Sequence, residues 1–217
     1  MSLARALLAS PRLLLFDEPL ASLDLQLKAR IIPYLARIRD EFRLPMLFVT
    51  HDRFETLSLA DQMVVLVKGK VAQTGSVQEV FSRPANLAVA GLLAVETVHP
   101  GRIQKSENGL VTVKVGSTVL FAMEEDFSST SKEVYVCTRA EDVILVKGSD
   151  SPSSARNHLP GIVQSLVREG PLMRVELDCG FTLAALLTKQ ACEEMALRQG
   201  EPVVALVKAP HIHLIPR

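Results

Sequence analysis

Hydrophobic positions divide the chain into two textures. Residues 13–16, Leu-Leu-Leu-Phe, are apolar without alternation, the mark of a strand buried on both faces of a parallel sheet. From about Asp24 to Phe42, Leu27, Ile31, Leu35, Ile38 and Phe42 recur at steps of three and four. That spacing predicts an amphipathic helix with one buried face, with Asp24 as its N-cap and a bend at Pro33. Leu44-Pro45 ends the helix, and Met46–Thr50 is a second apolar strand. Strand, crossover helix and strand make a right-handed βαβ unit with a parallel pair. A short helix near 54–59, a strand at 63–67 and a helix opened by the capping box Ser76-Val77-Gln78-Glu79 follow. Residues 2–9 read as the last turns of a helix, which carries the expectation that the chain starts inside a domain.

From about residue 95 the period becomes two. Val111, Val113 and Val115 alternate with polar residues, and Gly116-Ser117 is a two-residue hairpin turn. Short strands are predicted at 118–122, 134–138, 143–146, 161–167, 173–178, 181–186 and 202–208, with a linker at 148–153 and one helix over roughly 189–198, closed by Gly200. Closely spaced short strands predict a small barrel of the OB type.

Composition alters this picture little. In 217 residues there are 24 basic and 24 acidic side chains, so no global field favours nucleic acid or an anionic membrane. Cys137, Cys179 and Cys192 lack metal-ligand spacing and fit a reducing compartment. No apolar run approaches the roughly 20 residues that span a bilayer.

The candidate chemistry lies at the strand ends. Asp17-Glu18 closes the first strand and His51-Asp52 the second, where open α/β sheets place ligands. Two neighbouring buried carboxylates call for a cation or hydrogen bonds, and Mg²⁺ beside a polyphosphate supplies one. Taken alone, the pair also fits a core strand running into an acidic turn.

Residues 13–19, LLLFDEP, followed by ASLD at 21–24 and LFVTHD at 47–52, closely resemble the second half of an ABC-transporter ATPase domain. The resemblance covers about residues 1–90. It implies that Asp17 holds Mg²⁺ through its waters, that Glu18 polarises the attacking water and that His51 contacts the γ-phosphate and couples it to Glu18. It places Asp24 in the loop that touches the opposite subunit. No G-x-x-x-x-G-K-[ST] phosphate loop occurs in the 217 residues, nor a glutamine loop or LSGGQ-type signature. The expectations are therefore no appreciable ATP hydrolysis by this chain alone, and an apolar face open to self-association.

Ser154-Ala155-Arg156-Asn157-His158-Leu159-Pro160-Gly161, with Pro202–Pro210 and His213-Leu214, resembles the Mop domain, a molybdate-binding OB-like fold. Arg139-Ala140-Glu141-Asp142-Val143 resembles a strand common to importer accessory (TOBE-like) domains. The resemblance implies an oxyanion pocket between two copies of the fold, with Ser154, Arg156, Asn157 and Lys208 in or beside it. A tetrahedral dianion needs fixed hydrogen-bond donors and a cation. His211 and His213 alternate on a terminal strand without further ligands, so a metal reading is not adopted.

The fold class expected is α/β (a partial P-loop NTPase with a parallel sheet) followed by an all-β OB-like Mop/TOBE domain, divided as 1–93, 94–150 and 151–217. The function implied is the ATP-binding subunit of an importer for molybdate or a related oxyanion. ATP and Mg²⁺ would be its cofactors and molybdate or tungstate its regulatory ligand. The implied partners are a second copy, an integral-membrane permease and a periplasmic or extracellular oxyanion-binding protein, at the cytoplasmic face of the membrane. A non-catalytic molybdate-binding regulator with a vestigial ATPase segment is the alternative.

Overall fold

The computed structural model describes residues 5, 8–124, 132–148 and 153–217. Most of the helix expected over 2–9 and most of the linker 148–153 lie outside them. The chain divides into two compact units, Met1–Phe81 and Ser82–Arg217.

In the first unit β1 (Leu14–Asp17) and β2 (Met46–Val49) pair in parallel, in register Leu14↔Met46 to Asp17↔Val49. Helix α1 (Leu25–Phe42) makes the crossover between them. Asp24 caps it, its carboxylate accepting the Leu27 N–H at 2.8 Å, and Pro33 lies within it. Ile32 and Leu35 of α1 form the buried cluster with Leu20 and Leu59, against which Phe48 packs. Phe16 and Phe48 stack at 4.4 Å across the strand pair.

Burial on both faces of β1 and β2 does not hold among the described residues. Leu15, Leu47 and Val49 are 68%, 57% and 54% exposed, because α1 covers one face and no described element of this unit covers the other. Asp17 and Glu18 are exposed as well, so their charges do not bear the desolvation cost expected of a buried pair. After α2 (Arg53–Leu59), β3 (Gln62–Val67) and β4 (Lys70–Ser76) form an antiparallel hairpin. Helix α3 (Val77–Ser82) follows, and the Ser76 hydroxyl accepts the Glu79 N–H at 3.2 Å, the amide half of the capping box.

The second unit opens on α4 (Leu87–Leu92), capped by Asn86, and is built mainly from two five-stranded sheets. The first contains β5 (Thr97–Glu107), β6 (Leu110–Val115), β7 (Thr118–Met123) and β8 (Glu133–Thr138). The second contains β10 (Asn157–Glu169), β11 (Leu172–Asp178), β12 (Thr182–Thr188) and β13 (Pro202–Val207). With β9 (Ile144–Val146) and β14 (His213–Pro216), the orders are β7-β6-β5-β8-β14 and β12-β11-β10-β13-β9, all antiparallel.

The two halves repeat one plan. Each central strand carries Pro-Gly (Pro100-Gly101, Pro160-Gly161) and a bulge just beyond it. Each fourth strand leads through a single 3-10 turn (Ala140–Asp142, Ala209–His211) into a short fifth strand. Those fifth strands are exchanged: β9 (Ile144–Val146) completes the second sheet and β14 (His213–Pro216) the first. One core joins both sheets, with Val113, Val115, Leu120, Val136, Val175, Leu177 and Leu183 almost wholly buried. The hairpin turns also meet. A Cβ on Gly180 (φ +81°) would lie 2.7 Å from Thr118 Oγ1, and the Thr118 hydroxyl donates to the Cys179 carbonyl, so only glycine fits there.

Strand β5 was not expected, and two further elements differ in extent. The helix expected over 189–198 ends at Glu194 (α5, Lys189–Glu194). Ala196 turns left-handed at φ +46°, and the Leu197 N–H closes back on the Cys192 carbonyl. Strand β10 begins four residues earlier than expected, because Asn157–Ile162 pairs with β13.

Candidate functional site

The parallel register brings the first site together. The Glu18 N–H donates to the Val49 carbonyl at 2.9 Å, which continues the β1–β2 ladder past Asp17. Glu18 itself has φ +43°, a left-handed conformation uncommon outside glycine, asparagine and aspartate. This turn aims its carboxylate at the other strand end, where Glu18 Oε1 lies 3.0 Å from His51 Nδ1. An ionised carboxylate only accepts, so the bond requires the proton on Nδ1. Asp17 sits one residue earlier and is also exposed. Asp24 follows Glu18 by six residues, with its side chain engaged at the α1 N-terminus.

His51 and Glu18 are 78% and 47% exposed, and a bond between two such side chains holds little by itself. The backbone on either side of His51 is fixed by a network that the motifs did not reveal. Lys28 Nζ lies 2.5 Å from Asp52 Oδ2 and 2.7 Å from Glu55 Oε1, with only 10% of its side chain exposed. The Thr50 hydroxyl donates to Glu55 Oε2 at 2.7 Å and accepts the Asp52 N–H at 3.0 Å. Asp52 Oδ1 in turn caps α2 by accepting the Phe54 and Glu55 N–H groups. A signal for Lys28 existed in the sequence: it stands four residues before Ile32 and seven before Leu35, on the apolar stripe, where a charge requires a partner.

The Asp52 and Glu55 hydrogen bonds raise the Lys28 pKa above its ordinary value. Burial works against the charge of Asp52, but the bond from Lys28 and the two backbone N–H groups outweigh it, and its pKa falls. The contribution of Asp52 to stability is therefore complete above its unfolded value of about 3.9 and is lost as pH falls through the lower folded value. That of Lys28 is complete below about 10.4 and is lost as pH rises through the higher folded value. Hydrogen exchange at the amides of residues 50–56 is expected to stay constant between about pH 5 and 9, after correction for intrinsic rates, and to lose protection below about pH 4. In Lys28→Met the acid limb should flatten.

The second candidate site lies at the ends of β10 and β13. Asn157 pairs with Val207, which brings Arg156 beside Lys208, and Ser154 is two residues upstream. Ser154, Arg156 and Lys208 are exposed, whereas Asn157 is buried. The Asn157 amide donates to the carbonyls of Phe121 (2.9 Å) and Val207 (3.1 Å), and its oxygen accepts the Phe121 N–H at 2.7 Å. It thus bridges β13 to the free edge of β7. In the other half the corresponding residue, Thr97, accepts the Ala184 N–H of β12 at 3.1 Å. The cationic pair has no such counterpart. Where the second half has Arg156 and Lys208, the first has Glu96, accepting the Ala140 N–H, and a buried Arg139 directed at the Leu93 carbonyl.

Other candidates are accounted for by the fold. His211 Nδ1 meets Asp142 Oδ1 at 2.9 Å and His213 Nε2 meets the Pro84 carbonyl at 2.9 Å. Among the described residues no group of three or more His, Cys, Asp or Glu could hold a metal ion. The three cysteines are buried and free, and burial pushes Cys137 up to about 12 and Cys179 to about 11, so neither is a nucleophile at neutral pH. No described helix is long and apolar enough to cross a membrane.

Residues 153–214 match the TOBE domain family. The WtpC molybdate/tungstate import ATP-binding protein of Pyrococcus horikoshii is 36% identical over 218 residues, taking in 100% of this chain and 60% of the relative. The ModC molybdenum import ATP-binding protein of Rhizobium etli is 37% identical over 96% of this chain and 59% of its own length. Along nearly its whole length this chain is homologous to these molybdate/tungstate and molybdenum import ATP-binding proteins. It spans about 60% of the length of these curated relatives. Among solved structures, the cytoplasmic molybdate-binding protein ModG with molybdate bound matches 57% of this chain and 98% of its own, with 26% identity and a TM-score of 0.50.

Proposed function

We propose that the chain carries the hydrolytic residues and the anion-sensing unit of an ATP-binding subunit that drives import of molybdate or tungstate. The observation that carries this reading is the Glu18–His51 bond between adjacent parallel strand ends, in a chain homologous throughout to molybdate import ATP-binding proteins. Asp17 and Glu18 offer exposed, hard oxygen donors, which suit Mg²⁺ and its waters. Asp17 is the residue to hold that ion, which would neutralise charge on the nucleotide phosphates. Glu18 orients and deprotonates the attacking water, His51 fixes Glu18 and faces the terminal phosphate, and Asp24 presents the start of α1 to a second subunit.

ATP enters only where a phosphate loop is supplied, since none occurs in these 217 residues. The partners are a second copy, a membrane permease and an external oxyanion-binding protein, with the chain at the cytoplasmic face of the membrane. In the second unit Arg156, Lys208 and the Ser154 hydroxyl contact the oxyanion and Asn157 shapes the pocket floor. Anion bound there would hold the ATPase halves apart and slow import. A second reading, a molybdate-binding regulator with an idle ATPase segment, is favoured by the likeness to ModG.

A chimera separates the two. This chain is joined behind the part of the Rhizobium etli relative that it does not match, and the product replaces that relative in its own transporter. Molybdate uptake is the expected result; a folded, assembled chimera without uptake would favour the regulator.

A further inference from the structure

On the reading of Glu18 and His51 given above, we infer that Lys28 is a positioning residue, which holds His51 in line with Glu18 by clamping the residues on both sides of it. His51 touches its partner through one hydrogen bond and is otherwise open to solvent. Its orientation is therefore set by its backbone. Thr50 before it and Asp52 after it are bonded to each other, and both run to the same buried pair: Thr50 through Glu55, Asp52 directly to Lys28. The Glu55 side chain is 2% exposed, and its two oxygens are divided between Lys28 and Thr50. Because one ammonium faces two carboxylates, removing it leaves like charges side by side at low exposure, and they separate. The peptide between them carries His51.

The clamp also has a second end. The Lys28 N–H donates to the Asp24 carbonyl at 2.9 Å, so the lysine stands on the first turn of α1, directly after the segment 21–24. A displacement of that segment moves the anchor of the His51 loop. Lys28 thereby ties the start of the crossover helix to the Glu18–His51 pair without touching either residue.

The test uses the full 217-residue chain and the side-chain nitrogens of His51, read by long-range ¹H–¹⁵N correlation. Glu18→Gln identifies the signals that depend on the Glu18 bond. In the wild type the proton is expected on Nδ1. The variant K28M/D52N/E55Q removes every charge of the clamp at similar volume and should abolish that preference, while Lys28→Arg should keep it. Leu35→Ala serves as the control for simple destabilisation: it should lower the melting temperature and leave the His51 signals in place. Thr50→Val, a milder change at one side of the clamp, should shift the same signals and applies if the triple variant does not fold. Wild-type His51 signals in the folded triple variant, or in Thr50→Val where that variant is the one read, would overturn the role of Lys28. The readout involves no nucleotide, so it stands apart from whether the assembled subunit hydrolyses ATP.

Discussion

Asn157→Leu is expected to lower the melting temperature of the second unit by about 10 °C or more. The substitution keeps approximate volume but orphans the Phe121 N–H, the Phe121 carbonyl and the Val207 carbonyl at a buried position. Each unsatisfied buried group costs about 1–3 kcal/mol, and a kcal/mol shifts the midpoint of a domain this size by about 3–5 °C. Relaxation and water entry recover part of that sum. Thr97→Val provides the internal comparison. It removes one hydrogen bond, to the Ala184 N–H, at the corresponding place in the other half, and about 1 kcal/mol is expected. Calorimetry of the two variants side by side should find Asn157→Leu several-fold the more damaging. Equal losses would mean that Asn157 is not the principal bridge between the two sheets.

The second large effect concerns Glu18. In the chimera that carries a phosphate loop, Glu18→Gln should reduce ATP turnover by about 10²–10⁴-fold, the range typical of a general base, with nucleotide binding retained. The amide keeps the shape of the carboxylate and loses its basicity. It also changes what His51 meets, since the Nδ1 proton now faces an amide oxygen or an amide N–H. The left-handed backbone at Glu18 makes Glu18→Gly a useful contrast. That change relieves the conformation and removes the carboxylate, so stability should hold while turnover still falls. Steady-state ATPase measurements on both variants check the pair.

Why the first site was legible in the sequence and the second only partly so has a physical basis. Asp17, Glu18 and His51 end two apolar strands that one helix connects, so local patterning already puts them side by side, and the register Asp17↔Val49 does so in the structure. Lys28, Asp52 and Glu55 escaped because their meeting depends on how α1 packs on α2, a tertiary fact with only a faint local trace. Strand β5 escaped for another reason. Pro100-Gly101 reads as a break, yet Gly101 is where the strand passes so close to the core that a Cβ would lie 2.8 Å from Val113. The exchange of β9 and β14 between sheets left no local signal, because pairing between strands so distant in sequence is decided by the shared core. Asn157, which the resemblance puts in or beside an oxyanion pocket, is buried and bonded to both β7 and β13, a role that local patterning does not reveal.

The first unit shows the converse. Its apolar strands promised burial on both faces, and α1 covers one. A strand pair with Leu15, Leu47 and Val49 exposed is the kind of surface that partners and neighbouring segments cover.

An anion-sensing second unit must take up a tetrahedral oxyanion beside Arg156 and Lys208. Equilibrium dialysis of the 217-residue chain against molybdate, with tungstate as competitor, tests this most directly. Saturable binding, displaced by tungstate and lost in R156A/K208A at unchanged fold, is the predicted result. Both side chains are exposed, so the double variant should stay folded. Absence of saturable binding by the folded wild-type chain, or undiminished binding by R156A/K208A, would contradict it.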